Sequence, residues 1–190
     1  MMNRRQTILG LAALAAPTSL WAAPARYLLD RETSTVGFTY TLNGNKSNGQ
    51  MPVRAAEIML DVDKPSNSKV SAEVDVRKAD AGVFFATDAM LSESVLNAKR
   101  FPTIKFQSLS ISGNIHKAVV EGRLTIRDVT ETVRFDAQLF RQRGTEEGDR
   151  RKLSILMSGE IDRRRFGADG FSNLVGPMIS LDILTRVTLA

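Results

Sequence analysis

The 190-residue sequence contains no cysteine and a single histidine. The first absence excludes disulfides, thiolate metal sites and a cysteine nucleophile. The second confines any Ser-His-Asp triad or histidine metal site to His116, beside the turn signal Gly113-Asn114. With no second histidine to join it, His116 reads as an exposed residue. No G-x-S-x-G elbow, G-x-x-x-x-G-K-[ST] loop or D-x-D-x-D-G calcium loop occurs. Asp80, Asp88, Asp162, Asp169 and Asp182 show no metal-ligand spacing. The sequence therefore offers no cofactor or metal motif and no catalytic residue. Its apolar run Ile8 to Ala16 is far shorter than the ~20 residues that span a bilayer.

What is present is globular in composition, 43% hydrophobic and 25% charged. The net charge of +5 and pI near 9.8 fit nucleic acid, an anionic membrane or plain solubility. Part of that charge belongs to a leader. Arg4 and Arg5 precede the short apolar run, Pro17 to Leu20 break it, and Ala23-Pro24-Ala25 supplies small residues for cleavage. Residues 1–25 are thus expected to be a signal peptide that takes the protein to the periplasm, with residues 26–190 as one domain. The pair Arg4-Arg5 in NRRQTIL resembles a twin-arginine signal, and also suits the general secretory route. Without the two leader arginines the net charge is +3, which weakens the nucleic-acid reading.

The dominant period downstream is two, the signature of strands. Val36, Phe38, Tyr40 and Leu42 share a face ahead of the turn signal Asn43 to Gly49. Met51 and Val53 are out of phase with Ile58 and Leu60, which predicts a bulge near Ala55-Ala56. Val70, Ala72, Val74 and Val76 alternate with polar residues. Further alternating runs are Ala118 to Ile126, Val133 to Leu139, Leu153 to Ile161 and Ile179 to Leu189. One helix is expected over residues 87–97, ended before Pro102. About eight strands with short turns and no βαβ rhythm predict an all-β antiparallel fold, closed either as a sandwich or as a barrel. Eight strands make a barrel just wide enough for a small ligand or a filling of side chains. The inward list is aliphatic or Phe, with Ala72, Ala118, Gly122 and Ala137 interspersed, and by itself favours a solid core over a cavity.

Several segments together resemble the YceI-like family. VEGRLTIRDVTETVRF (Val120 to Phe135) is similar to its G-x-L-T-x-x-G-V-T-x-x-V segment. TDAMLSESVLNAKRFPTIKFQS (Thr87 to Ser108) resembles its helix followed by F-P-x-I-x-F-x-S, and GEIDRRRFG (Gly159 to Gly167) its late R-x-x-F-G motif. DRETSTVGFTY (Asp30 to Tyr40) resembles its opening strand. The order is right across the whole chain after the leader. Departures fall at Leu42, Asp128, Arg165 and Pro177, where the family often has other residues.

The resemblance implies a lipocalin-like antiparallel barrel with an elongated pocket for a polyisoprenoid or another long amphiphile. It points to a non-catalytic lipid carrier or reservoir, whose partner is a long-chain isoprenoid, an isoprenoid quinone-like molecule or a fatty amphiphile. Transient contact with a membrane surface and no nucleic acid are the remaining partner expectations. The expected lipid-binding wall is Phe38, Tyr40, Phe84, Phe85, Leu91, Phe106, Leu124, Phe135 and Phe166. Such a chain needs apolar area rather than hydrogen bonds: ten buried carbons contribute about 8 kcal/mol gross. Arg163-Arg164-Arg165 is either an anion partner or a solvated turn. The competing functions are an enzyme on the same barrel, which needs positioned acids and bases, and a filled-barrel envelope protein that binds another protein through loops such as 143–152 or 163–176.

Overall fold

The computed structural model describes residues 24–190. The leader expected over residues 1–25 lies outside them except for Pro24 and Ala25. Eight strands run in chain order: β1 (Ala25–Leu42), β2 (Asn45–Leu60), β3 (Lys69–Asp75), β4 (Thr103–Asn114), β5 (Lys117–Ile126), β6 (Val129–Arg141), β7 (Lys152–Asp162) and β8 (Met178–Leu189). Each pairs antiparallel with the next, and β8 returns to pair with β1, giving a closed barrel. Closure leaves no unpaired sheet edge to recruit another chain.

The period-two runs become the barrel's alternating faces. Ala118, Val120, Leu124 and Ile126 are buried on β5, and Phe135 and Ala137 on β6. The phase slip between Val53 and Ile58 is a register shift of β2 against β3 between Val53 and Ala55. Val76, read as the end of a strand, lies instead in a 3-10 turn, Val76–Lys78, in which the Arg77 N–H is capped by the Asp75 carboxylate.

The helix α1 is Phe84–Leu91, earlier than the 87–97 read from the sequence. Val83, in extended conformation, stands at its N-cap position, and Thr87 lies one turn inside. Its hydroxyl accepts from Ala81 N–H (2.9 Å) and bonds Asp80 and the Val83 carbonyl, which binds the preceding turn to the first helical turn. The helix stops at Ser92, whose backbone turns extended and whose hydroxyl donates to Ala89 O (2.6 Å).

The two barrel ends differ in construction. One end carries the long connections 76–102 and 163–177. They are joined by Gly170 N–H to Ser94 O (3.0 Å) and by Arg127, which donates to both Val95 O and Gly167 O. Beneath them Val76, Ala79, Ala81, Leu96, Ala98, Phe166 and Ala168 form a buried plug with Tyr40, Leu124 and Ile126. The opposite end carries the loops 61–68, 115–116 and 142–151.

Candidate functional site

All eight strands send apolar side chains into one lumen, a cavity of about 260 Å³. Val36, Met51, Val70, Ile104, Val120, Ala137, Met157 and Leu181 are representative of its wall, one from each strand. Three inward phenylalanines lie flat against this wall, and glycine makes that possible. A Cβ on Gly49 would lie 2.2 Å from Phe38 Cζ, one on Gly122 2.4 Å from Phe106 Cζ, and one on Gly159 2.6 Å from Phe135 Cδ1. Each ring therefore occupies the space above a glycine on the neighbouring strand, covering bare backbone. Phe106 and Phe135 also meet edge to face with centroids 5.7 Å apart. Rings held against the wall leave the barrel axis unfilled.

The lumen is closed at the plugged end by Leu96 and Ala168 and reaches solvent at the other, where its lining includes the exposed Asn114 and Gln138 and the half-buried Val62, Pro65 and Ile115. Tyr27, Ile58, Leu153 and Val187 fill the sector of that end nearest β1, β7 and β8. The mouth is therefore confined between loop 61–68, the β4–β5 turn and β6. Asp61 frames it. Its carboxylate accepts from the Asn67 amide (2.8 Å) and from the N–H groups of Lys64 (2.8 Å) and Asp63 (3.1 Å). These bonds, the Asn67 amide foremost, hold its pKa below the usual carboxylate value.

Of the nine residues expected in the lipid-binding wall, Phe38, Phe106, Leu124 and Phe135 line the cavity. Tyr40, Leu91 and Phe166 do not. Tyr40 and Phe166 are buried in the plug, where Tyr40 donates its hydroxyl to Ala81 O (2.8 Å), and Leu91 packs against it. Phe84 and Phe85 are 83% and 64% exposed. The plug already seals the lumen beneath α1, so the start of that helix has no core left to enter. Sequence reasoning did not single out Met51, Met90, Met157, Ile104 or Ile111, which the structure places in the lining. The strand residues among these were legible through their alternation, whereas the aromatic residues drew more weight than their positions warranted.

The three consecutive arginines divide their roles. Arg163 is buried, and its guanidinium donates to the carbonyls of Gly176 (3.0 Å), Gly170 (2.9 Å), Val175 (2.9 Å) and Ala168. It organises the 163–177 connection, with the Asp169 and Asp162 carboxylates close enough to favour its charge. Arg164 clasps Asp162 (2.7 Å), holding that carboxyl down to about 2, and Arg165 pairs with Glu131. His116 is exposed in the β4–β5 turn. Among the described residues, no three acidic or histidine side chains converge as a metal site, and no helix is long and apolar enough to cross a membrane.

Comparison with known proteins agrees with this geometry. A solved structure of Burkholderia cenocepacia BcnA superposes with a TM-score of 0.73 at 20% identity, covering 84% of this chain and 99% of that one. A polyisoprenoid binding domain from Saccharophagus degradans, implicated in plant cell wall breakdown, superposes at 0.61 with 8% identity, covering 88% and 99%. A UPF0312 protein of Photorhabdus laumondii subsp. laumondii is 24% identical over 166 residues, 85% of this chain and 86% of its own. The model of the YceI-like domain matches residues 27–187, nearly the whole described chain, and the protein belongs to that family.

Proposed function

We propose that this protein holds a long apolar chain, a polyisoprenoid or a similar amphiphile, inside its barrel and does no chemistry on it. The observation that carries the reading is the lumen, apolar from wall to wall, with polar lining groups only toward its two ends. Met51, Met90 and Met157 in its lining are unbranched and adaptable, so the wall can repack around cargo larger than the present 260 Å³. The likeness to a polyisoprenoid binding domain supports the class of ligand. Catalysis finds little support in the site. Asp61 is the one carboxylate in the lining, and its hydrogen bonds to Asn67, Lys64 and Asp63 make it a weak base. The leader-like residues 1–25 support action in the periplasm after cleavage.

The test is mass spectrometry of an organic extract of the protein purified from its native host. A long isoprenoid or comparable amphiphile in stoichiometric yield is the expected result. Extracts with no such molecule would refute the reading. N-terminal sequencing of periplasmic protein should begin near Arg26, and His116→Ala should leave lipid content unchanged.

A further inference from the structure

The charge of the barrel is arranged around its ends. The segments at the mouth, with the three flanking residues of each strand, hold nine Lys and Arg against five Asp and Glu, whereas the plugged end, bounded in the same way, holds ten of each. The excess at the mouth is concentrated on Lys117 and the arc Arg141 to Lys152. Two of its arginines are spoken for: Arg150 pairs with Asp63 (2.7 Å) and Arg151 with Asp149 (2.8 Å). Lys117, Arg143 and Lys152 stand at the same end of the barrel and are exposed. Apolar surface accompanies the charge. Ile115, Leu139 and Pro65 continue the lumen's lining outward, and Phe140, 43% exposed, stands beside Arg141.

We infer that the mouth end docks on an anionic lipid bilayer, with the basic arc against headgroups and the apolar rim at the acyl boundary. This rests on the carrier reading above, since water-insoluble cargo must leave and enter a bilayer. The occupant follows from charge complementarity and from continuity of the apolar rim with the lumen. A basic cluster beside apolar side chains is the composition that binds anionic membranes. The plugged end, despite Phe84 and Phe85, is electrically balanced and sealed from the lumen by its plug, so docking there would bring no cargo to the cavity.

The sequence's one tryptophan, Trp21, lies in the expected leader, so processed protein beginning near Arg26 carries none and allows a positional test. In that processed protein, an indole is placed at the mouth end by Phe140→Trp or at the plugged end by Phe84→Trp. Each variant is mixed with vesicles of phosphatidylcholine and phosphatidylglycerol with brominated acyl chains. The expected result is a blue shift and quenching with Phe140→Trp and neither with Phe84→Trp, lost in pure phosphatidylcholine and at high salt. Adding Lys117→Glu, Arg143→Glu and Lys152→Glu should weaken binding to anionic vesicles, read from the Phe140→Trp signal, by at least about 100-fold. Equal quenching at both ends, quenching only with Phe84→Trp, or indifference to the three reversals would overturn the inference. So would a blue shift with Phe140→Trp that grows with protein concentration in the absence of vesicles, which marks a second copy as the occupant. Cargo is extracted from the same samples. Docking without cargo refutes the carrier reading alone, and cargo without docking refutes this one alone.

Discussion

Filling the lumen should separate a hollow barrel from a solid one, and Ala137 is the position to fill. It is buried on β6, faces Ala118 across β5 and Met157 across β7, and lines the cavity. A cavity of roughly 150 Å³ accepts a benzene-sized ring, so the phenyl group of Ala137→Phe takes more than half of the 260 Å³ available. In a hollow barrel the ring gains apolar burial worth up to about 2 kcal/mol. In a packed core the same change strains its neighbours and costs about 1–3 kcal/mol. At about 2–4 °C per kcal/mol for a domain of this size, Tm should hold or rise by as much as about 8 °C if the space is empty, and drop by about 2–12 °C if it is filled. The comparison requires extracted, cargo-free protein, because bound cargo raises the wild-type Tm by mass action. Differential scanning calorimetry supplies Tm and mass spectrometry the lipid per chain. The expected result is unchanged or higher Tm with at least a tenfold loss of bound lipid. A clear drop in Tm, with no lipid in either protein, would refute the argument.

Gly122→Ala should destabilise by about 1–3 kcal/mol in urea melts, because its Cβ meets both the Phe106 ring and Gln107 O (2.7 Å); adding Phe106→Leu should recover part of the loss by freeing the ring's space. Arg163→Ala leaves four carbonyls of the 163–177 connection without their donor and should cost at least about 3 kcal/mol, with Arg163→Lys recovering only a minor share because an ammonium cannot reproduce the planar fork. The Asp162 carboxyl, near 2 in the fold through its Arg164 bonds, is depressed from its unfolded value near 3.9, so its contribution is fully present above about pH 4 and is lost as pH falls toward 2. Acid titration of thermal stability for Asp162→Asn should accordingly show a shallower decline between pH 4 and 2 than wild type.

The fold was largely legible because its signal is local. Alternation along Ala118 to Ile126 and Val133 to Leu139 marks the faces that the structure buries, and a slip of phase at Val53 marks the bulge. The lumen was not legible from the residues alone. Phe106 and Gly122 are sixteen positions apart, and only the β4–β5 register brings the ring over the glycine. A Phe on an inward face reads the same whether it reaches the axis or lies along the wall. Phe84 and Phe85 misled because hydrophobicity says that a side chain prefers burial without saying whether space remains. Arg163 looked like its two neighbours in sequence, yet the 163–177 connection wraps its carbonyls around that one guanidinium. No pattern in the surrounding residues announces such a backbone cage.

The ladder between β1 and β8 also fixes an order in time. Seven of the eight pairings join consecutive strands, whereas Tyr27 meets Leu189 and Thr39 meets Ser180 only after the intervening chain exists. Such a long-range contact costs loop-closure entropy before it returns any stability, so closure is a slow step. Until β8 arrives the sheet is an open trough: β1 and β7 present bare edges, and the apolar inner face is wet. During that interval the same surface that later encloses cargo is a liability for aggregation. A nascent chain therefore needs shelter for its trough rather than for its loops, and loading can begin only once the last strand has been delivered.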